Sequence, residues 1–381
     1  MTIDTAGLAS ARHVAQVILV RYPKQFGLAL PASFRSQTAV LLITLVYWIS
    51  GIVISDIANL PPASTVTTYV RTLIVMVPAM ALCLLGMRGV VIMAMERPER
   101  PLTQLARELR DSLATPQRLA HAFPILLVML IFGGTFTTIK ASIPSLMPFA
   151  WDPDFNQLDR WLHGGAAPWE LLQPLLGAPV VTYAINLVYN SWFICFNLIW
   201  VWQAFRQGDD RLRLQFFLSL ILGWVLLGSV LAMLLSSAGP CYFGRVTGLS
   251  DAYAPLMEYL REVDNSYAVW ALDAQEVLWR NYTKGGMVVG SGISAMPSMH
   301  VAIATLFALV CWRVRRWLGI VMSAYALAIM IGSVQLGWHY AIDGYLGAAG
   351  MIAIWWGAGR FVEWDERRRR ASIAAGARTL L

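Results

Sequence analysis

Two histidines and the residues spaced around them are the groups in this chain best suited to chemistry. His300 closes the run Pro297-Ser298-Met299-His300, and His339 opens His339-Tyr340-Ala341-Ile342-Asp343. An imidazole changes protonation near neutral pH, so it can act as base, acid or nucleophile. His339 and Asp343 are four residues apart and share a face if the segment is helical. A carboxylate so placed accepts the Nδ1–H, fixes the tautomer and leaves the Nε2 lone pair aimed outward, as a nucleophilic or basic ring requires. The same pair could also be a structural contact pinning a helix end. Ahead of His300, Pro297 suits the start of a helix. The first turn of that helix offers free backbone N–H groups and the positive end of the dipole, both of which attract phosphate. A histidine in that turn could hand a proton to a leaving oxygen; the bland alternative is a capping segment with an interfacial histidine.

The elements that must position these rings are set by composition. Of 381 residues, 57% are hydrophobic and 13% charged, and only five are histidine; mean hydropathy is +0.58. Soluble domains carry about a quarter charged residues, so a single soluble domain is excluded. An imidazole and a carboxylate at a membrane boundary are costly to keep there without a use. The net charge of +7 does not indicate nucleic acid, because the basic runs interrupt or follow apolar spans. The four cysteines lack disulfide or metal spacing. The N-terminus does not read as a secretory signal, since basic residues precede its first long apolar run.

A spanning helix needs about 20 mostly apolar residues. Eight such segments are expected, over 38–58, 71–95, 122–139, 180–204, 214–237, 299–313, 317–337 and 340–360. The fold class is therefore all-α polytopic membrane protein. Arginines crowd the loops 96–121, 205–213 and 313–316 and the tail from Arg367 to Arg370. With eight spans these fall on the side of both termini, which the positive-inside rule makes cytoplasmic. Both histidine motifs then lie on the exoplasmic side, joined by one helical hairpin, so the two rings can meet. The chain divides into an amphipathic N-terminus, 1–37, and two accessory spans, 38–95. After a cytoplasmic loop, 96–121, comes a core, 122–361, with long exoplasmic loops 140–179 and 238–298, and then a basic tail, 362–381. Residues 5–22 are expected to lie on the cytoplasmic membrane surface. No internal repeat stands out, which weakens an inverted-repeat transporter.

Pro297-Ser298-Met299-His300 and His339 to Asp343 resemble the second and third motifs of the type 2 phosphatidic acid phosphatase (PAP2) superfamily. The resemblance implies His339 as nucleophile, Asp343 as its orienting partner and His300 as the acid for the leaving group. It also implies a six-helix core. Three positions depart from the family pattern. The first motif, a lysine and a later Arg-Pro pair, is missing; its place reads Gly239-Pro240-Cys241-Tyr242. Ser333 stands where the third motif carries an arginine, and Met299 replaces the glycine before His300. Together with the loop Trp151-Asp152-Pro153-Asp154 to Gly165, these features are similar to the inositol phosphorylceramide synthase-like members, which move a phosphorylated head group between lipids.

The resemblance leaves the phosphate-binding cation open. Arg245 is the first expectation, because it follows the span bordering the site. Lys284 and Arg280 come next, and Lys140 is possible. The hydroxyls of Ser298 and Tyr242 are further phosphate contacts. Asp152 and Asp159 are expected to stabilise the exoplasmic helices, and His163 to sit in a turn. No cofactor or metal is called for. The expected partners are a membrane phospholipid or polyprenyl phosphate and a hydroxyl acceptor such as ceramide or inositol. A lipid phosphate or polyprenyl diphosphate phosphatase, and a non-enzymatic transporter on the same shell, are the alternatives.

Overall fold

The computed structural model describes residues 21–59, 63–113, 115–284 and 292–379. The amphipathic stretch expected over 5–22 therefore lies, except for Arg21 and Tyr22, outside the described residues. The described chain is helical, with no strand among its elements. In order, the helices are α1 Tyr22–Ser36, α2 Thr38–Ile57, α3 Ala63–Val91, α4 Pro101–Glu108, α5 Pro116–Leu146, α6 Asp152–Leu162, α7 Pro168–Leu176 and α8 Pro179–Asn190. They continue with α9 Trp192–Phe205, α10 Asp210–Val225, α11 Ala254–Asp264, α12 Trp270–Lys284, α13 Met299–Val314, α14 Arg316–Gln335 and α15 Ala341–Thr379.

Each of the eight expected spans is built from these helices. Among the described residues, six segments are long and apolar enough to cross a membrane: Thr38–Ile57, Ile74–Glu96, Pro116–Leu146, Pro179–Phe205, Asp210–Leu234 and Arg316–Gln335. The other two differ from a plain apolar span. Helix α13 has only 16 residues. The 340–360 segment is the first half of α15, where Asp343, tyrosine and several glycines dilute the apolar run.

Local chemistry sets the helix ends. Thr115 caps α5 by accepting from Arg118 N, and Pro116 follows at the first helical position. The Asp209 carboxylate accepts from Leu212 N at 3.0 Å and starts α10. Helix α13 departs from expectation: Pro297 lies outside it and Ser298 is its N-cap, accepting from Val301 N at 3.5 Å. In the bundle α13 packs against α10, α14 and α15, while α5 packs against α1, α2 and α3.

At the opposite end of α10 from the histidines, Arg213 is fully buried. Its guanidinium donates to the carbonyls of Gln203 at 3.1 Å, Ala204 at 3.1 Å and His121 at 2.8 Å. The charge thus ties α5, the end of α9 and α10 together through helix carbonyls, the one of Gln203 being shared with Arg206 N–H. Charge-assisted bonds contribute about 1.5–3 kcal/mol each. Arg213→Ala is therefore expected to lower the detergent-solubilised protein's thermal midpoint by several degrees; an unchanged midpoint would show that the staple is dispensable.

Candidate active site

The α13–α14 hairpin returns the chain to the membrane face it left, and the two imidazoles meet there with ring centroids 6.3 Å apart. His339 is 7% exposed and Asp343 fully buried. The His339 Nδ1–H donates to Asp343 Oδ2 at 3.2 Å, and that oxygen also accepts from Tyr340 N at 3.0 Å. The carboxylate thus sets both the tautomer and the turn. Nε2 has no hydrogen-bond partner among the described residues, so its lone pair is free.

His300 occupies the first turn of α13. Its ring lies between Tyr189, stacked at 4.9 Å and 24°, and Trp192 at 4.5 Å. Trp192 Nε1–H also donates to the His300 carbonyl at 3.1 Å. These aromatic residues, at the junction of α8 and α9, hold the imidazole while its nitrogens stay unbonded among the described residues.

Backbone contacts bind the two motifs into one unit. Ser298 N–H donates to the Asp343 carbonyl at 2.9 Å. The Ser298 carbonyl lies where a Cβ on Gly347 would come within 2.5 Å, so only glycine lets α15 approach this closely. The family departures have local explanations. Met299 fits because it packs on Gly228, inside the π-helical turn Leu226–Leu231; a Cβ there would lie 3.2 Å from the Met299 sulfur. Ser333 is fully buried and turns its hydroxyl back to the Met330 carbonyl at 2.7 Å. Its own carbonyl accepts from Trp338 N and His339 N, both at 3.0 Å. The position has become an anchor for the catalytic turn.

Helix α6 braces this turn from outside. Asp152, Phe155 and Asp159 form its buried face. The Asp152 carboxylate accepts from Ala238 N and Gly239 N, both at 2.8 Å, and from the Tyr340 hydroxyl at 3.0 Å. Asp159 accepts from Ala341 N at 2.9 Å and Ile342 N at 3.2 Å, capping α15 from another helix. Burial pushes both carboxyls above the usual carboxylate range, and these donors pull the other way. His163 completes the brace: Nδ1–H donates to the Asp159 carbonyl and Nε2 accepts from Tyr345 OH at 2.9 Å. The stabilising roles read for Asp152 and Asp159 match this geometry, and His163 sits in a turn as expected.

The residues expected to hold phosphate are committed elsewhere. Arg245 bonds Glu276 at 3.3 Å and lies over the Trp279 ring at 5.1 Å. Arg280 shares the same Glu276 at 3.5 Å. The Tyr242 hydroxyl donates to the Gln275 carbonyl at 2.7 Å, and the Ser298 hydroxyl is the cap of α13. Lys284 is exposed at the end of α12. Helix α12 carries an acid of its own, Glu276, which pairs with both nearby arginines. Tyr189 and Trp192 went unread; the polar run Asn190-Ser191 breaking an otherwise apolar span was the available signal. Lys140, on α5, has its carbonyl where a Cβ on Gly292, eight residues before His300, would come within 2.8 Å.

A polytopic helical bundle with a carboxylate-held imidazole facing a second imidazole defines a membrane protein built for acid–base or nucleophilic chemistry. A family model described as the PAP2 superfamily matches residues 153–357, more than half of the sequence, and the chain belongs to that superfamily. The match begins after α5, so it covers the last five of the six helices expected to form the core. No curated protein and no solved structure matches the chain. Membership places the protein among phosphatases and phosphotransferases at a coarse level.

The α6 brace makes a graded prediction. Asp159→Ala removes the cap on two α15 N–H groups and is expected to cost about 1–2 kcal/mol, read by thermal or denaturant unfolding in detergent. Asp154→Ala, on the exposed face of the same helix, is expected to stay within about 0.5 kcal/mol. Equal effects from the two variants would remove Asp159 from the brace.

Proposed function

We propose that the protein is a lipid head-group phosphotransferase acting through a phosphohistidine on His339. The observation that carries the reading is the Asp343–His339 pair with a free Nε2 beside the His300 ring. Neutral His339 forms an N–P bond as the P–O bond to the departing lipid alcohol breaks. Protonated His300 gives its proton to that oxygen. In the second half, neutral His300 takes the proton of an incoming hydroxyl, whose oxygen forms a new P–O bond as the N–P bond breaks. His339 returns neutral and His300 protonated, so the cycle balances. Asp343 stabilises the positive ring while the phosphoryl group is attached.

Two features support transfer over simple phosphate release. Gly239-Pro240-Cys241-Tyr242 and Pro297-Ser298-Met299-His300 resemble the inositol phosphorylceramide synthase-like members. Arg245 and Arg280 are engaged with Glu276, so the described site offers less positive charge than a doubly charged phosphate monoester calls for. The arginine-rich loops support a cytoplasmic location for both termini and an exoplasmic site.

The test is product formation by purified protein from labelled phospholipid, with and without a hydroxyl acceptor such as ceramide or inositol. Transfer predicts product only with acceptor, and a loss of at least about a thousandfold in kcat for His339→Ala. Free phosphate formed without acceptor would identify a phosphatase instead. Activity unchanged in His339→Ala would overturn the phosphohistidine.

A further inference from the structure

We propose that Lys140 is the cation that binds the substrate phosphate, and that a site with this one lysine is matched to a singly charged phosphodiester. The inference rests on the phosphohistidine reading and names the substrate class of that same site. Lys140 sits on α5, within the apolar Pro116–Leu146 segment, about two turns from its end. It is partly buried, and no carboxylate pairs with it among the described residues. An unpaired ammonium at such a depth is expensive and marks a function by default. The helix turn that carries it packs against Gly292, eight residues before His300, on the chain segment that leads into the site. Lys140 precedes the matched residues 153–357, so family membership does not supply this role.

The surrounding backbone builds the position. Gly292 has φ +103°, and a Cβ on it would come within 2.8 Å of the Lys140 carbonyl. The chain leading to His300 is thereby laid directly on the helix turn that carries Lys140. Three residues further on, Ala295 N–H donates to the Ser237 carbonyl at 2.9 Å, which joins the same segment to the loop braced by Asp152. Two donors complete a candidate cradle. The Tyr189 hydroxyl, on the ring stacked against His300, and Trp338 Nε1–H, one residue before His339, are buried with no hydrogen-bond partner. A buried orphan donor is costly to leave unpaired, a cost that phosphate oxygens would relieve.

Charge balance then selects the substrate. Lys140 neutralises the one phosphodiester charge and leaves the His300 proton for the leaving oxygen, whereas a monoester at neutral pH carries nearly two charges and would hold that proton in an ion pair.

The experiment uses the full chain in detergent micelles, with lysine acetylation mapped by mass spectrometry. Lys140 should react in micelles doped with diacylglycerol and be protected in micelles doped with phosphatidylglycerol, a phosphodiester. His339→Ala should keep that protection, so a failure of the phosphohistidine chemistry is separable from a failure of this inference. Lys140→Met should lower kcat/KM about a hundredfold, mainly through KM, and Lys140→Arg should recover most of the loss. Equal labelling with the two lipids, or no labelling with either, overturns the proposal. So does a folded Lys140→Met enzyme with wild-type KM. Stronger protection by phosphatidic acid, a monoester, than by phosphatidylglycerol overturns the single-charge match.

Discussion

The buried carboxylate of Asp343 is the constraint on which the site depends. Stripped of water, it is stable only while hydrogen-bonded. The donors are His339 Nδ1–H and the Tyr340 N–H. The carboxylate therefore fixes the imidazole's tautomer, its direction and the turn that begins α15 in a single arrangement. The backbone of the same residue accepts from Ser298 N–H. The helix bearing His300 and the turn bearing His339 are thus referred to one residue, which limits how far the two rings can drift apart.

Around that residue the fold supplies rigidity from elements distant in sequence. Helix α6 lies nearly two hundred positions before His339, yet its two buried aspartates cap α15 and hold the 238–239 loop. Ser333 closes the turn from the other side. Loops normally carry function at the cost of mobility; here the His339 turn is a loop whose N–H groups are nearly all taken up by carboxylates and carbonyls. Catalysis by positioning needs that preorganisation.

Much of this was legible in the sequence, for physical reasons. Long apolar runs have one solution in a membrane, so the helices and the hairpin joining His300 to His339 followed from hydropathy alone. The four-residue spacing of His339 and Asp343 gave their contact. The phosphate cations were not legible, because a lone arginine in a loop says nothing about which acid will claim it. Glu276, one helix turn before Arg280 on the same helix, claims both Arg245 and Arg280. The aromatic sandwich around His300 was hidden for a related reason. Tyr189 and Trp192 meet the ring only through packing between helices distant in sequence, and aromatic residues in a membrane span are too common to flag themselves. The expected span 299–313 coincides with helix α13, but Ser298 rather than Pro297 starts it, a difference decided by backbone geometry rather than residue preference.

The central claim is that His339 Nε2 becomes covalently bonded to phosphorus. The most direct measurement is rapid-quench mass spectrometry of the peptide containing His339, after mixing the protein with phospholipid in the absence of acceptor. The account predicts a phosphorylated adduct on His339 that forms within one turnover and disappears when acceptor is added. Turnover with no adduct, or an adduct on His300 instead, would contradict it.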